Sequence, residues 1–505
     1  MSSRLVTDSP ALAAAARLFA RLARRALRYL AVALLGLLVG ALALQLYQLS
    51  EGPPLEPWHA VKLTEEFTAE RAGEIRSFDD YRQLEDRLFA QLKTRINGRV
   101  GTGPDYTLFR YSAGSAADPM SREPNWNRSF ERVPEQPVGG VLLLHGMTDS
   151  PYTFRALAEG LERQGYRVLG LRLPGHGTAP SGLASVTWED MAAAVRQAMA
   201  HLESKAGSAP IHIIGYSTGA PLALDYILDL PQGRRQPASL VLLSPAIGIT
   251  PAAALAKWKA RLASLPGLGK LAWTDILPEF DPYKYNSFTA NAGNQVHRLT
   301  RNLASRIEAR AAAGPIESLP PTLVFLSTVD ATVSTAAVID NLLRHLARDR
   351  HELVLFDINR HAVKSTLLIS DPGALTGRVL ADATLPFAVT LITNESPASR
   401  QVVARRKLPF SAAASEPEPL GLTWPRGVIS LSHVALPFPP DDPLYGQRPP
   451  GNEDLLFLGD IAIKGERNLL KLPGEWPLRL RHNPFYGYLE TRVLQWLDET
   501  RNPSG

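Results

Sequence analysis

One local pattern constrains the fold of this chain more than any other. An apolar run, Ile211-His212-Ile213-Ile214, leads directly into Gly215-Tyr216-Ser217-Thr218-Gly219, and Ala220-Pro221-Leu222-Ala223-Leu224 follows with helix-forming character. The order is strand, sharp turn, helix, with a serine at the tip. A serine hydroxyl is a weak nucleophile at neutral pH. It becomes useful when it is lifted clear of a sheet, beside a base and beside backbone N–H donors. The two glycines suit a strained turn where neighbouring chain passes too close for a Cβ.

The surrounding chain predicts an α/β architecture. Val138–Leu144, Tyr166–Leu173, Ile211–Ile214, Leu240–Leu243, Thr322–Ser327 and Glu352–Phe356 read as apolar strands. Residues 151–164, 187–205 and 219–229 read as the helices between them. Short buried strands alternating with amphipathic helices imply a mostly parallel sheet covered by helices on both faces. The expected core is 138–245 and 319–505, interrupted by a helical cap over 246–318 that includes Lys257-Trp258 and Trp273. A stretch that long without structure of its own is uncommon in a compact domain. Residues 48–137 are expected to be a linker and an N-terminal helical or extended region, with a helix over 63–96 and an early strand near Tyr106–Tyr111. Phe387–Ile392 and Val428–Leu431 read as extra strands, and 484–499 as a closing amphipathic helix.

The N-terminus has a different character. Arg4, Arg17, Arg21, Arg24, Arg25 and Arg28 lie within residues 1–28, so much of the net charge of +5 is local. A nucleic-acid-binding face is a poor reading of that charge. Tyr29–Tyr47 then runs for nineteen residues without a charge. At 1.5 Å per residue such a helix nearly matches a hydrocarbon core of about 30 Å. The arginines precede it and the next basic residue is Lys62, so the expectation is an uncleaved signal-anchor, with a cleavable signal peptide ending at Ala41-Leu42-Ala43 as the rival reading. Its N-terminus would be cytoplasmic and the remaining chain outside the cytoplasm, in the periplasm if the membrane is a Gram-negative inner one. The chain has no cysteine, which excludes disulfides, thiolate metal sites and a cysteine nucleophile. The eleven histidines have no clustered metal-ligand spacing, and no cofactor or metal is expected.

Other segments converge on the serine. Leu144-His145-Gly146-Met147-Thr148-Asp149-Ser150-Pro151 follows the first strong strand. A turn there can aim the Met147 N–H at a developing oxyanion, with the N–H of Thr218 as the second donor. His145 and His176 are read as loop braces rather than proton carriers. HGMTDSP, RLPGHGT, TWEDM and GYSTG, in this order and spacing, resemble the α/β-hydrolase superfamily. Within it they are most similar to the branch of monoacylglycerol lipases, carboxylesterases and serine aminopeptidases. The resemblance covers roughly 138–361 and, more loosely, the C-terminal helix.

The resemblance implies a Ser–acid–His triad in that chain order. Ser217 takes the nucleophile position, and Asp330, in Ser327-Thr-Val-Asp-Ala-Thr-Val after a strong strand, takes the acid position. Two histidines compete for the third place. His361 follows Asp330 by 31 residues, the usual superfamily spacing, but sits in the basic stretch Asn-Arg-His-Ala-Val-Lys. A neighbouring cation opposes the imidazolium needed during turnover. His433 follows by 103 residues, in Ser-Leu-Ser-His-Val-Ala-Leu. Its context resembles the Ser-His-Val or Gly-His-Val endings of many hydrolases. The reading favours His433, with 362–427 as an insertion before it. The expected function is hydrolysis of acyl or lipid-like carboxylic esters through an acyl-enzyme. Peptidase, amidase or acyltransferase chemistry on the same residues is the alternative. A non-catalytic hydrolase-like envelope module is a third reading.

Overall fold

The computed structural model describes residues 10–231, 233–248, 268–348, 350–363, 368–448, 456–459 and 480–501. The chain divides into two units, Met1–Pro54 and Leu55–Gly505. The first holds helix α1 (Pro10–Glu51), whose large apolar side chains, among them Leu30, Leu34, Leu35 and Leu38, are exposed. The span expected at Tyr29–Tyr47 falls within α1, and the side chains of 42, 43 and 45–47 lie outside the described set. Among the described residues no helix is long and apolar enough to cross a membrane, so the structure gives the expected span no support.

The second unit is organised by one sheet. Its strands are β1 (Phe130–Arg132), β2 (Gly139–Leu144), β3 (Tyr166–Leu171), β4 (Ile211–Tyr216), β5 (Ser239–Leu243), β8 (Thr322–Ser327), β9 (His351–Phe356), β10 (Ala388–Asn394), β11 (Gln401–Lys407) and β12 (Glu418–Thr423). Their spatial order is β1-β3-β2-β4-β5-β8-β9-β10-β11-β12. Every pair from β3 to β10 is parallel; β1 and β10–β12 add antiparallel edges. Two further strands, β6 (Trp273–Asp275) and β7 (Phe288–Thr289), make a separate small pair.

The central strands β2, β4, β5 and β8 are largely apolar and buried throughout because both of their faces are covered. Side chains alternate across a strand. Leu142, Leu144, Ile213, Leu242, Val324 and Leu355 therefore join one core. Val141, Leu143, Ile214, Val241, Phe325 and Phe356 join the other. Among the described residues, the helices of this unit in chain order are α2 (Pro57–Ala60), α3 (Phe78–Arg95), α4 (Arg155–Arg163), α5 (Trp188–Ala206), α6 (Gly219–Asp229), α7 (Ala290–Ala311), α8 (Thr335–Asn341), α9 (Gly373–Ala381) and α10 (Tyr486–Arg501). Residues of α5, α6 and α7 fill the first core, and residues of α4 and α10 the second.

Several expectations need correction. The helix expected over 63–96 is broken: a 3-10 turn, Ala69–Glu74, precedes α3, and Ser77 caps α3 by accepting the Asp80 N–H. The early strand near Tyr106–Tyr111 is instead a run of turns. Val428–Leu431 is not a strand; two of its carbonyls are taken up by Asn359 instead of by a strand ladder. The side chain of Asn359 donates to the Val428 carbonyl, and the Asn359 N–H to that of Ile429. The expected cap begins and ends as described chain, with β6, β7 and α7, but Lys257 and Trp258 lie outside the described residues. The segment 362–427 supplies α9 and the three strands that extend the sheet past β9.

The region before β1 is locked on by a buried cation. Arg172, at the end of β3, is fully buried and meets Glu85 of α3 at 3.0 Å and Glu66 at 2.9 Å. Ser129 donates a further hydrogen bond to Glu85 at 2.7 Å. Removing one partner of a buried ion pair leaves the other charge uncompensated, at a cost of about 3–5 kcal/mol. Arg172→Met should therefore lower unfolding free energy by about that amount in a urea titration. A loss below about 1 kcal/mol would show that the cluster does not hold this region.

Candidate active site

The serine is placed by backbone geometry. Ser217 has φ 51, in the left-handed region that non-glycine residues seldom occupy. Three backbone hydrogen bonds hold it there. The Ser217 N–H donates to the Leu243 carbonyl at 2.9 Å, and the Ser217 carbonyl accepts from Ala220 at 3.2 Å and Ala246 at 3.1 Å. The turn is tight enough to exclude side chains on both sides. A Cβ at Gly215 would stand 2.6 Å from Ala220 Cα, and one at Gly219 would collide with the Leu144 carbonyl. Both glycines of the sequence motif thus have the steric role expected of them.

The carboxyl ends of neighbouring parallel strands gather the rest, as in open α/β sheets generally. Asp330 follows β8, and its side chain is fully buried. Its Oδ1 accepts the N–H groups of Thr332 at 2.8 Å and Val333 at 2.9 Å. His433 opens a short 3-10 turn far along the chain, and is 5% exposed. Its Nδ1 lies 2.9 Å from Asp330 Oδ2, and its Nε2 lies 3.1 Å from Ser217 Oγ. Serine, imidazole and carboxylate form one continuous line. Burial by itself would raise the Asp330 carboxyl. The adjoining imidazole and the hydrogen bonds from His433, Val333 and Thr332 outweigh that and hold it below the ordinary carboxylate value.

His361 is elsewhere. It is exposed in a turn beyond β9, next to Arg360, which is paired with Asp357 and Asp371. The structure brings His433, not His361, to Ser217. Thr218 directly follows the serine at the start of α6, and Met147 follows Gly146, where an added Cβ would stand 3.0 Å from Ser217 Cβ. Among the described residues, neither backbone N–H has an acceptor. Tyr216, which the sequence motif contains without assigning it a task, donates its hydroxyl to the His433 carbonyl at 3.2 Å. No spacing rule links those two positions, so only the folded chain could reveal the contact.

The two loop histidines are braces. His145 is fully buried, with Nδ1 2.9 Å from the Gly146 carbonyl while Nε2 accepts the Leu173 N–H at 3.1 Å. That pattern requires the neutral ring with its proton on Nδ1. His176 is fully buried with Nδ1 2.9 Å from the Pro174 carbonyl. Among the described residues no group of acidic and histidine side chains could hold a metal ion.

Residues 135–365 match the family model described as serine aminopeptidase, S33. The match contains Ser217 and Asp330 and ends before His433. A thermostable monoacylglycerol lipase of Bacillus sp. (strain H-257) is 38% identical over 85 residues, which are 17% of this chain and 33% of that protein. The magnesium-chelatase 30 kDa subunit of Rhodobacter capsulatus is 36% identical over 95 residues, 19% of this chain and 32% of that one. Both matches span about a third of the relative's length. The crystal structure of the Paleococcus ferrophilus monoacylglycerol lipase is 21% identical and covers 46% of this chain and 89% of its own, with a TM-score of 0.35.

Burial of histidines has a consequence for acid stability. Desolvation lowers His176 to about 4, and His212 and His351, on β4 and β9, to about 3. Their unfolded counterparts titrate near 6.5, so between pH 6.5 and about 4 the unfolded chain binds more protons than the folded one. Stability then falls as pH falls, by about 1.4 kcal/mol per pH unit for each such histidine. Melting temperature should drop clearly from pH 7.5 to pH 5.0. An unchanged value would mean that these rings are protonated in the folded state. Taken together, the strand order, the serine turn at the end of β4 and the local family match identify an α/β-hydrolase fold in this chain.

Proposed function

We propose that this protein is a serine hydrolase cleaving carboxylic esters of acyl or lipid-like substrates. The observation that carries the reading is the single hydrogen-bonded line from Ser217 Oγ through His433 to Asp330. Ser217 Oγ attacks the ester carbonyl while His433 Nε2 takes its proton. Negative charge builds on the carbonyl oxygen between the N–H groups of Met147 and Thr218. Collapse of that intermediate expels the alcohol, which receives the proton from His433, and leaves the acyl group on Ser217. Water, deprotonated by His433, attacks the acyl-enzyme and releases the acid. Asp330 keeps the imidazole oriented with its proton on Nδ1 and stabilises the imidazolium.

The ester reading is supported by the local identity to a monoacylglycerol lipase. The family model's own description favours a second reading, removal of N-terminal amino acids by the same residues. Attachment to a membrane through Tyr29–Tyr47, with the catalytic unit outside the cytoplasm, is proposed from the sequence: the segment is uncharged and follows the arginine cluster. Should the native chain stay with membranes through alkaline carbonate washing, the anchor holds; release into the supernatant would remove it.

Short and long p-nitrophenyl esters, and aminoacyl p-nitroanilides for the second reading, test the activity. Ser217→Ala and His433→Ala should each lower kcat by at least about 1,000-fold, with fluorophosphonate labelling abolished in Ser217→Ala. His361→Ala should retain wild-type turnover. Collapse in His361→Ala with normal activity in His433→Ala would overturn the assignment. Failure of the wild-type protein to label would overturn the enzyme reading.

A further inference from the structure

The loop between β6 and β7 reaches the turn that carries the Met147 N–H. Asp281 Oδ1 accepts the N–H groups of Tyr283 at 3.0 Å and Lys284 at 3.1 Å, which fixes the loop's own shape. From that platform two consecutive residues meet the Gly146–Asp149 turn. The Tyr285 N–H donates to the Thr148 carbonyl at 2.8 Å, and Lys284 Nζ meets Asp149 Oδ1 at 2.7 Å. Tyr285 also bridges to the neighbouring loop: its hydroxyl accepts the Thr178 N–H at 2.8 Å and donates to the Gly175 carbonyl at 3.2 Å.

Two features of the turn make these contacts consequential. Thr148 has φ 70, a left-handed conformation that a threonine holds only under outside restraint. Asp149 is buried, its side chain 6% exposed, and close to the nucleophile. A Cβ built on Gly146 would stand 2.6 Å from Asp149 Oδ2 and 3.0 Å from Ser217 Cβ. A carboxylate there acts through a poorly screened medium on whatever charge develops at the serine. The developing charge is an oxyanion, so an uncompensated Asp149 would oppose it. Lys284 is the cation paired with Asp149 among the described residues, and its side chain is 32% exposed.

We propose that Lys284 is a positioning residue for acyl transfer. From the β6–β7 loop its ammonium cancels the Asp149 charge beside the oxyanion site and holds the Gly146–Asp149 turn in the geometry that presents the Met147 N–H. Lys284 touches no reacting atom. It acts through Asp149, and the proposal rests on the serine hydrolase reading above.

The test compares wild type, K284M, K284R and K284M/D149N on p-nitrophenyl butyrate, with the second-order rate of fluorophosphonate labelling and the melting temperature measured for each. K284M should lose about 10- to 100-fold in kcat, with KM within about threefold, because loss of an oriented oxyanion donor acts on the transition state. Labelling should slow in parallel. K284R should recover most of the loss, and K284M/D149N part of it, since both charges are then gone. Wild-type kcat in K284M, or a loss that follows melting temperature and is not recovered by K284R, overturns the proposal. K284M/D149N as slow as K284M overturns the charge-cancelling role. A wild-type protein that neither labels nor turns over ester overturns the hydrolase reading and this proposal with it, whereas an active wild type with an equally active K284M overturns this proposal alone.

Discussion

The strained backbone of Ser217 is the constraint on which the site depends. A serine at φ 51 is unfavourable by itself, and it persists because three hydrogen bonds, one to α6 and two to the end of β5 and the chain just beyond it, over-determine it. The Leu243 carbonyl comes from β5, the Ala220 N–H from α6, and the Ala246 N–H from the chain leaving β5. That arrangement exists only if β4 lies between β2 and β5 in parallel register, with Leu144 opposite Gly215 and Leu243 opposite Tyr216. Fold and site are therefore one physical problem. The close contacts at Gly215 and Gly219 that shape the turn also bring α6 onto the sheet.

His433 reaches this turn by a long route. After β9 the chain passes through α9 and then β10, β11 and β12 before it returns. The return path is fastened at three points. Trp424 is buried and packs edge-on to Phe485 at 4.7 Å, just before α10. Asn359, just past β9, bonds to the backbone of Val428 and Ile429. Ser432 then donates to the Leu480 carbonyl at 2.8 Å, beside the histidine. The three added strands lengthen the sheet without moving the carboxyl ends of β4 and β8, so the imidazole can arrive from 103 residues beyond Asp330 and still close the hydrogen-bonded line. Sequence spacing counts residues along the chain, and a sheet extension placed between two loops changes that count without changing the distance between them.

The parts of the structure that were legible had local physical causes. Continuous apolar runs gave the parallel strands within one or two residues, because two covered faces make most positions of such a strand apolar. The parts that were not legible depended on partners remote in sequence. The segment near residue 106 lies in a turn-rich stretch whose short apolar run mimics a strand, and the apolar pattern of Val428–Leu431 does the same although the remote Asn359 occupies its carbonyls. The 63–96 stretch has helical periodicity throughout, yet Ser77 starts a new helix by capping Asp80.

By itself, the sequence determined the strand–turn–helix around Ser217, the alternation that makes the sheet parallel, and the carboxylate after β8, because backbone sterics and hydrophobic periodicity act over a few residues. It also carried the uncharged segment Tyr29–Tyr47 and its flanking arginines. Only the tertiary structure decided which histidine meets the serine, and that Lys284 meets Asp149. Those contacts join residues more than a hundred positions apart, and their energy depends on burial and on distances of about 3 Å, which are set by packing the whole sheet.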